Sequence, residues 1–350
     1  MSDFFPYQGY LSGYFAAGGS VIPARLKRSY EILFSRLGTE IRPEQAFAYL
    51  QKNLGIESAE KLKRMLTVEQ ADSVLLAARA LQAGRSFTVA DKTGLGKGRI
   101  LASLLRVALV NKKKVVFISE KANLFQDFWR DLFDVEAQEL LMPNKVLMLS
   151  GSKTEIYRDG VLFAKTPSLS EQKRLVEQHA MPFDCIMTTY SQLSGNAGAA
   201  RLEYLTDFAA HAYILFDEFH NAVGAAATVK NILEAQALGA VHSTATMMNK
   251  ALHLPNFYPE LNLDPQRTPD FARHLSGFEE IYADSVGEAM IRSGVMLRRE
   301  HAYSMKQEQL CLDKETESKI EQLLYDFGCY ISDILRCRDF ILEGCVLIMC

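Results

Sequence analysis

Phe87-Thr88-Val89-Ala90-Asp91-Lys92-Thr93-Gly94-Leu95-Gly96-Lys97-Gly98-Arg99-Ile100 is the stretch on which the fold turns. It runs from a short β-branched strand into a glycine-rich turn, then a lysine, then a long helical pattern. That layout suits phosphate binding. Glycines let backbone N–H groups converge on an anion, and the helix N-terminus that follows adds its partial positive charge. Lys97 reaches the β- and γ-phosphates as a mobile point charge. The spacing approaches G-x-x-x-x-G-K-[ST], with two departures. Asp91 stands at the first glycine, and Gly98 stands where a hydroxyl normally meets Mg²⁺. Asp91, Thr93, Gly94, Leu95, Gly96, Lys97, Gly98 and Arg99 are the candidate phosphate-loop residues. Taken alone, the segment is equally compatible with an ordinary strand-to-helix turn.

A second segment narrows the choice. Tyr213-Ile214-Leu215-Phe216-Asp217-Glu218-Phe219-His220 is an apolar strand ending in paired carboxylates. At the carboxyl end of a parallel strand, both acids lie beside the place a phosphate loop occupies. Asp217 is then the candidate Mg²⁺ ligand, through water, and Glu218 the group that orients and deprotonates an attacking water. The bland alternative is an acidic strand end that caps a neighbouring helix. Both motifs, in this order on these elements, argue against it. Lys97, Asp217, Glu218 and His220 form the candidate catalytic set, with ATP and Mg²⁺ as cofactors.

Outward from these motifs, apolar runs at Ser86–Ala90, Val115–Ser119, Val146–Ser150, Cys185–Thr189, Tyr213–Phe216 and Ala240–Thr244 alternate with amphipathic stretches such as Ile100–Val110 and Leu124–Phe133. Continuous apolar strands alternating with helices predict an α/β fold, a parallel sheet with helices on both faces. The first sixty residues read as helical with little chemistry, and the strand signal fades after about Leu252. The expected division is a helical N-terminal segment over 1–62, an ATP-binding domain over 63–255 and a mostly helical segment over 256–350. Residues 268–299 and 315–340 carry that last helical pattern.

Composition excludes several classes. Hydrophobic residues at 48% and charged residues at 23% are globular averages, which removes disordered and collagen-like chains. A net charge of -3 excludes a uniformly basic coat protein for nucleic acid, though not a local basic groove. No apolar run reaches the ~18–20 residues a bilayer span needs, and no secretory signal is visible. The six cysteines form no C-x-x-C pair. A reduced thiol set and a cytoplasmic location are the expectation, with no membrane partner.

Gln70 precedes the loop at a distance suited to reading an adenine edge, and Thr244-Ala245-Thr246 ends the strand after the acid pair. Together with Asp217-Glu218-Phe219-His220, these segments resemble the first motor domain of a superfamily 2 helicase. The closer resemblance is to the strawberry notch helicase-like family, whose phosphate loop reads Asp-Gly-Thr-Gly-x-Gly-Lys-Gly-Arg. The Gly98-Arg99 pair fits that pattern, and Lys92 in place of Gly departs from it. Val116–Ser119 with Asn123–Leu132, Thr188–Leu193, Asp217–Ala222 and Ser293–Arg299 are similar to further segments of the family, with Phe219 for Cys and Asn221 for Lys.

The resemblance implies a RecA-like P-loop NTPase domain in which Thr244 and Thr246 couple the nucleotide site to neighbouring elements. It also implies that Ser119, Thr189 and Tyr190 contact a nucleic-acid backbone, expected to be DNA. A motor of this kind needs a second RecA-like domain or subunit to supply arginine fingers. Only about fifty residues follow Arg299, short of another domain at ~100–200 residues, so a truncated chain and weak turnover are expected. Two alternatives stay open. One is a catalytically weak ATP-sensing interaction module, a split or decayed helicase in phage, plasmid or defence biology. The other, weaker, is a kinase-like phosphotransferase.

Overall fold

A computed structural model describes residues 4–193, 198–222, 225–245 and 279–301. The N-terminal part holds β1 (Phe4–Pro6), β2 (Ser20–Pro23), α1 (Lys27–Glu40), α2 (Pro43–Leu54), α3 (Ala59–Met65) and α4 (Val68–Gln82). Local signals set these helices. Pro43 opens α2 and Gly55, with φ of +62°, closes it. A Thr67/Gln70 capping box starts α4.

The central part runs β3 (Phe87–Val89), α5 (Lys97–Val110), β4 (Lys114–Ser119), α6 (Leu124–Asp134), β5 (Val146–Leu149), β6 (Glu155–Arg158), β7 (Val161–Lys165), α7 (Leu169–Glu177) and β8 (Cys185–Thr189). It continues through α8 (Gly198–Ala209), β9 (Ala212–Phe216), α9 (Ala225–Gln236) and β10 (Gly239–Ser243). Then come α10 (Glu279–Ser293), β11 (Met296–Leu297) and β12 (Glu300–His301).

Seven strands form one sheet in the order β11-β3-β10-β9-β4-β8-β5, and every pairing is parallel. The chain moves one way across the sheet from β3 through β4 to β5, and back from β8 through β9 to β10. Right-handed crossovers therefore place α5 and α6 on one face and α8 and α9 on the other. Burial on both faces explains the unbroken apolar strands: Val115–Ile118 and Ala212–Phe216 are buried throughout. The domain is a RecA-like α/β P-loop fold, with one strand, β10, between the phosphate-loop strand β3 and the acid strand β9.

Two features depart from the sequence expectation. The N-terminal segment is helical over α1–α3 but opens with two strands, which form an antiparallel sheet in the order β1-β2-β12. The residues between those strands are held by two acids of α4. Asp72 accepts hydrogen bonds from Tyr7 Oη and Tyr10 N, both at 2.8 Å, and from Leu11 N at 3.1 Å. Glu69 accepts from Gly18 N at 2.8 Å and from Ser20 Oγ at 2.9 Å. Residues 268–299 were expected to be helical, yet α10 is followed by β11, which pairs with β3 through Met296 and Leu297. Two residues are too short a run to register as a strand. Thr246 and the 315–340 pattern lie outside the described residues. Among the described residues, no helix is long and apolar enough to cross a membrane.

Candidate functional site

The phosphate loop leaves β3 and turns into α5 through Gly94 and Gly96, whose φ angles of +90° and +77° suit glycine. Gly96 has a second reason to lack a side chain, because a Cβ there would lie 2.2 Å from Gln70 Nε2. The Gln70 Oε1 accepts from Thr67 N at 3.1 Å, which aims the amide nitrogen at the loop. Asp91, Lys97 and Gln70 are buried, whereas Lys92, Thr93 and Gly94 are exposed, and Leu95, Gly98 and Arg99 are half-buried.

Lys97 donates to the Asp91 carbonyl oxygen at 3.0 Å. Burial lowers its pKa, against the opposing pull of Glu218, Asp91 and Asp217. The ammonium thus sits at the loop's centre with both strand-end acids in reach of its field. Burial, and then the charge of Glu218, push the Asp217 carboxyl up to about 6. Its oxygens accept weakly from Ser119 Oγ (3.5 Å) and Ser243 Oγ (3.4 Å).

Glu218 adopts φ of +46°, a left-handed conformation that costs a non-glycine residue ~1–3 kcal/mol and often marks a functional position. Its Oε2 is buried without a hydrogen-bond donor. The His220 ring lies beside it, with Nδ1 at 3.4 Å. The same Nδ1 lies 3.1 Å from Thr244 Oγ1, so His220 bridges the acid pair and the end of β10.

These residues fit a nucleotide's divalent metal in the manner usual for Mg²⁺, which takes one or two carboxylates and completes its shell with waters and phosphate oxygens. Asp217 is the protein ligand on offer. The orphaned Glu218 oxygen is an acceptor waiting for a proton donor.

Asp91 does not face the loop. Its carboxylate is fully buried against Arg299, accepting from the Arg299 backbone N–H and Nε, both at 3.0 Å, and from Nη2. Arg299 also donates to Glu69 O and Ser73 Oγ, each at 2.6 Å. Asp91 therefore contributes its carbonyl, and its side chain anchors the strand. Ser119, Thr189 and Tyr190 are buried too, and all three turn inward. Ser119 faces Asp217, Thr189 Oγ1 lies 3.0 Å from Ser191 Oγ, and Tyr190 Oη donates to Asp217 O at 2.9 Å. Ser119, on the adjacent strand β4, and Tyr190, just past the end of β8, thus support the end of the acid strand.

Sequence reasoning missed a cleft beside the loop, about 300 Å³ in volume. Gly18 and His301 line it together with Gln70, Gly96, Arg99 and Asp131. His301 Nε2 donates to Thr93 O at 2.5 Å. One signal was present: Glu69 and Asp72 are acids in the first turns of a helix rich in Ala, Val and Leu.

The sequence profile of the family described as "P-loop containing NTP hydrolase pore-1" matches residues 39–254, well over half of the chain. The chain belongs to that family. As a P-loop NTP hydrolase family member, it carries the family match from α1 through the phosphate loop and acid pair to beyond β10. A comparison with curated proteins finds no match. Among solved structures it is similar to the Sulfolobus solfataricus SWI2/SNF2 ATPase core in complex with dsDNA, at 17% identity and a TM-score of 0.43, covering 66% of this chain and 44% of that one. It is also similar to the Sulfolobus solfataricus SWI2/SNF2 ATPase core domain, at 14% identity and a TM-score of 0.44, covering 66% and 42%. The chain spans less than half the length of either structure.

Proposed function

We propose that this chain is the ATP-binding half of a superfamily 2 DNA helicase or translocase of the strawberry notch type. It hydrolyses ATP in response to nucleic acid when a second RecA-like domain or subunit closes the site. The observation that carries this reading is the His220 bridge between Glu218 and Thr244. A simple phosphotransferase needs no link from its catalytic acid to the next strand; a motor must pass the state of its nucleotide to other elements.

Lys97 holds the β- and γ-phosphates, Asp217 holds the metal, and Glu218 takes the proton of the attacking water. Bound Mg²⁺ neutralises charge developing on the phosphate oxygens. The arginines nearest the loop are committed elsewhere, Arg299 to Asp91 and Arg99 to Asp134. This supports an arginine finger supplied by the second domain or subunit, an element worth ~10³–10⁵ in turnover where it acts.

The inward orientation of Ser119, Thr189 and Tyr190 favours a second reading, an ATP-sensing interaction module with little turnover. ATP turnover by the purified chain, with and without single-stranded DNA, separates the two. DNA-stimulated turnover that disappears in Glu218→Gln and loses its DNA response in His220→Ala supports the motor. ATP binding without turnover at any DNA concentration supports the module. A kinase-like activity on an added acceptor would overturn both.

A further inference from the structure

Three consecutive residues at the carboxyl end of β10 meet the acid segment one by one. Ser243 Oγ donates to Asp217 Oδ1 at 3.4 Å, and Thr244 Oγ1 lies 3.1 Å from His220 Nδ1. The His242 ring stacks on Phe219, with centroids 4.1 Å apart and planes at 27°. The first two contacts belong to the site described above. The third leads to a buried charged cluster that the site does not use.

His242 is fully buried, and its Nε2 is hydrogen-bonded to Glu234 Oε1 on α9. Glu234 Oε2 lies 2.6 Å from Nζ of Lys230, one helical turn earlier. The Lys230 side chain is fully buried and that of Glu234 is 9% exposed. Against the opposing effect of burial, the charges of His242 and Lys230 hold the Glu234 carboxyl below its ordinary range. Lys230 Nζ also stands 5.2 Å from the centre of the Phe219 ring.

A buried ion pair is a poor source of stability, because desolvation offsets most of the attraction between its charges. What the pair holds is more telling. Glu234 ties the imidazole and the ammonium together, and both lie against the ring of Phe219, itself fully buried. Phe219 directly follows Glu218, whose left-handed φ of +46° persists only where surrounding structure enforces it. The aromatic ring also has a reason to stand where the strawberry notch pattern has Cys: a thiol offers no π face to an ammonium.

Resting on the role of Glu218 proposed above, we propose that Lys230, Glu234 and His242 are positioning residues for that acid, acting through the Phe219 ring. They hold the turn that carries Glu218, which closes through Asn221 N to Glu218 O and Ala222 N to Phe219 O, each at 2.9 Å. His242 extends the cluster towards the phosphate-loop strand, where its Nδ1 lies 3.5 Å from Thr88 Oγ1 on β3.

The test is hydrogen exchange of the full chain, without nucleotide, in Lys230→Met/Glu234→Gln and in Phe219→Leu. Exchanging a buried ion pair for uncharged groups of similar volume is often neutral, so the pair variant should keep a near-native Tm. A desolvated cation–π contact is worth on the order of 10-fold in a local equilibrium. The Asn221 and Ala222 amides should therefore exchange about 10-fold faster than in the native chain, with the β9 amides unchanged. Phe219→Leu should show the same local acceleration, and combining the variants should add nothing further. In turnover stimulated by single-stranded DNA, the pair variant should lose about 10-fold in kcat at an unchanged KM for ATP.

Native exchange at residues 221 and 222 in Phe219→Leu overturns the inference, whether or not the pair variant folds. So does acceleration in the pair variant that extends equally to β9, the mark of a merely structural role, or an additive effect in the combined variant. A native chain that binds no ATP overturns the proposed function instead, and exchange still decides whether the cluster holds the turn.

Discussion

Arg299→Ala tests how the phosphate loop is held in place. The native guanidinium is fully buried and donates to both Asp91 oxygens, to Glu69 O and to Ser73 Oγ. Truncation removes all of these bonds and leaves Asp91 with the backbone N–H of residue 299. A buried carboxylate stripped of its cation costs ~3–5 kcal/mol, because the charge remains desolvated while its compensation is gone. For a domain of this size each kcal/mol lowers Tm by about 2–4 °C, so the drop should be roughly 6–20 °C. The backbone bond from Lys92 N to Arg299 O, at 3.0 Å, remains in the variant, so the loss measured is that of the side chain.

Thermal unfolding followed by circular dichroism reads the effect. The double variant Asp91→Leu/Arg299→Met should recover most of the loss, since a buried ion pair exchanged for apolar groups of similar volume is often neutral. A fall of less than ~2 °C for Arg299→Ala, or a double variant no better than the single, would refute the reasoning.

Two further expectations use other parts of the site. Gly98→Thr, which restores the general P-loop pattern, should destabilise the protein by ~1–3 kcal/mol, because its Cβ meets the Asp131 carboxylate. Adding Asp131→Ala should relieve most of that cost, and urea unfolding of the native chain and the two variants checks it. The Asp72 carboxyl gives a pH signature. Burial, against the hydrogen bond from Tyr7 and the charge of Arg299, raises it from 3.8 to about 6. The folded state therefore binds this proton more tightly than the unfolded chain does. The stability it contributes is complete below about pH 4 and is lost as pH rises through about 6, on the order of 2–3 kcal/mol in all. Asp72→Asn cannot titrate, so its stability relative to the native chain should rise between pH 4 and pH 7. Parallel stability curves for the two proteins across that range would contradict the assignment.

Much of the fold was legible because its signals are local. Six of the seven parallel strands coincide with expected apolar runs to within a residue or two at each end, since strands buried on both faces show no polar alternation. The lysine of the phosphate loop and the acid pair were legible for the same reason, as motifs read within a few residues at the ends of strands.

What escaped depends on distance along the chain. Asp91 looked like a loop residue, but its partner lies 208 residues away, and no spacing rule connects them. Asp131 meets Gly98 across two helices, and the anomalous glycine was visible while its cause was not. Ser119, Thr189 and Tyr190 do stand at the carboxyl ends of β4 and β8. Which way a strand-end side chain points follows from packing against Asp217, and sequence position says nothing of that. The strands β1, β2 and β12 have two to four residues each, below the length at which periodicity separates strand from loop.

The measurement closest to the central claim is calorimetric titration of the chain with ATP and Mg²⁺, beside Lys97→Ala. Lys97 is the buried cation at the centre of the loop and within the field of both strand-end acids. Saturable ATP binding by the native chain, weakened at least ~10-fold in a folded Lys97→Ala variant, is the expected result. Equal affinity in both proteins, or no binding in either, would contradict the assignment of this loop to the phosphates.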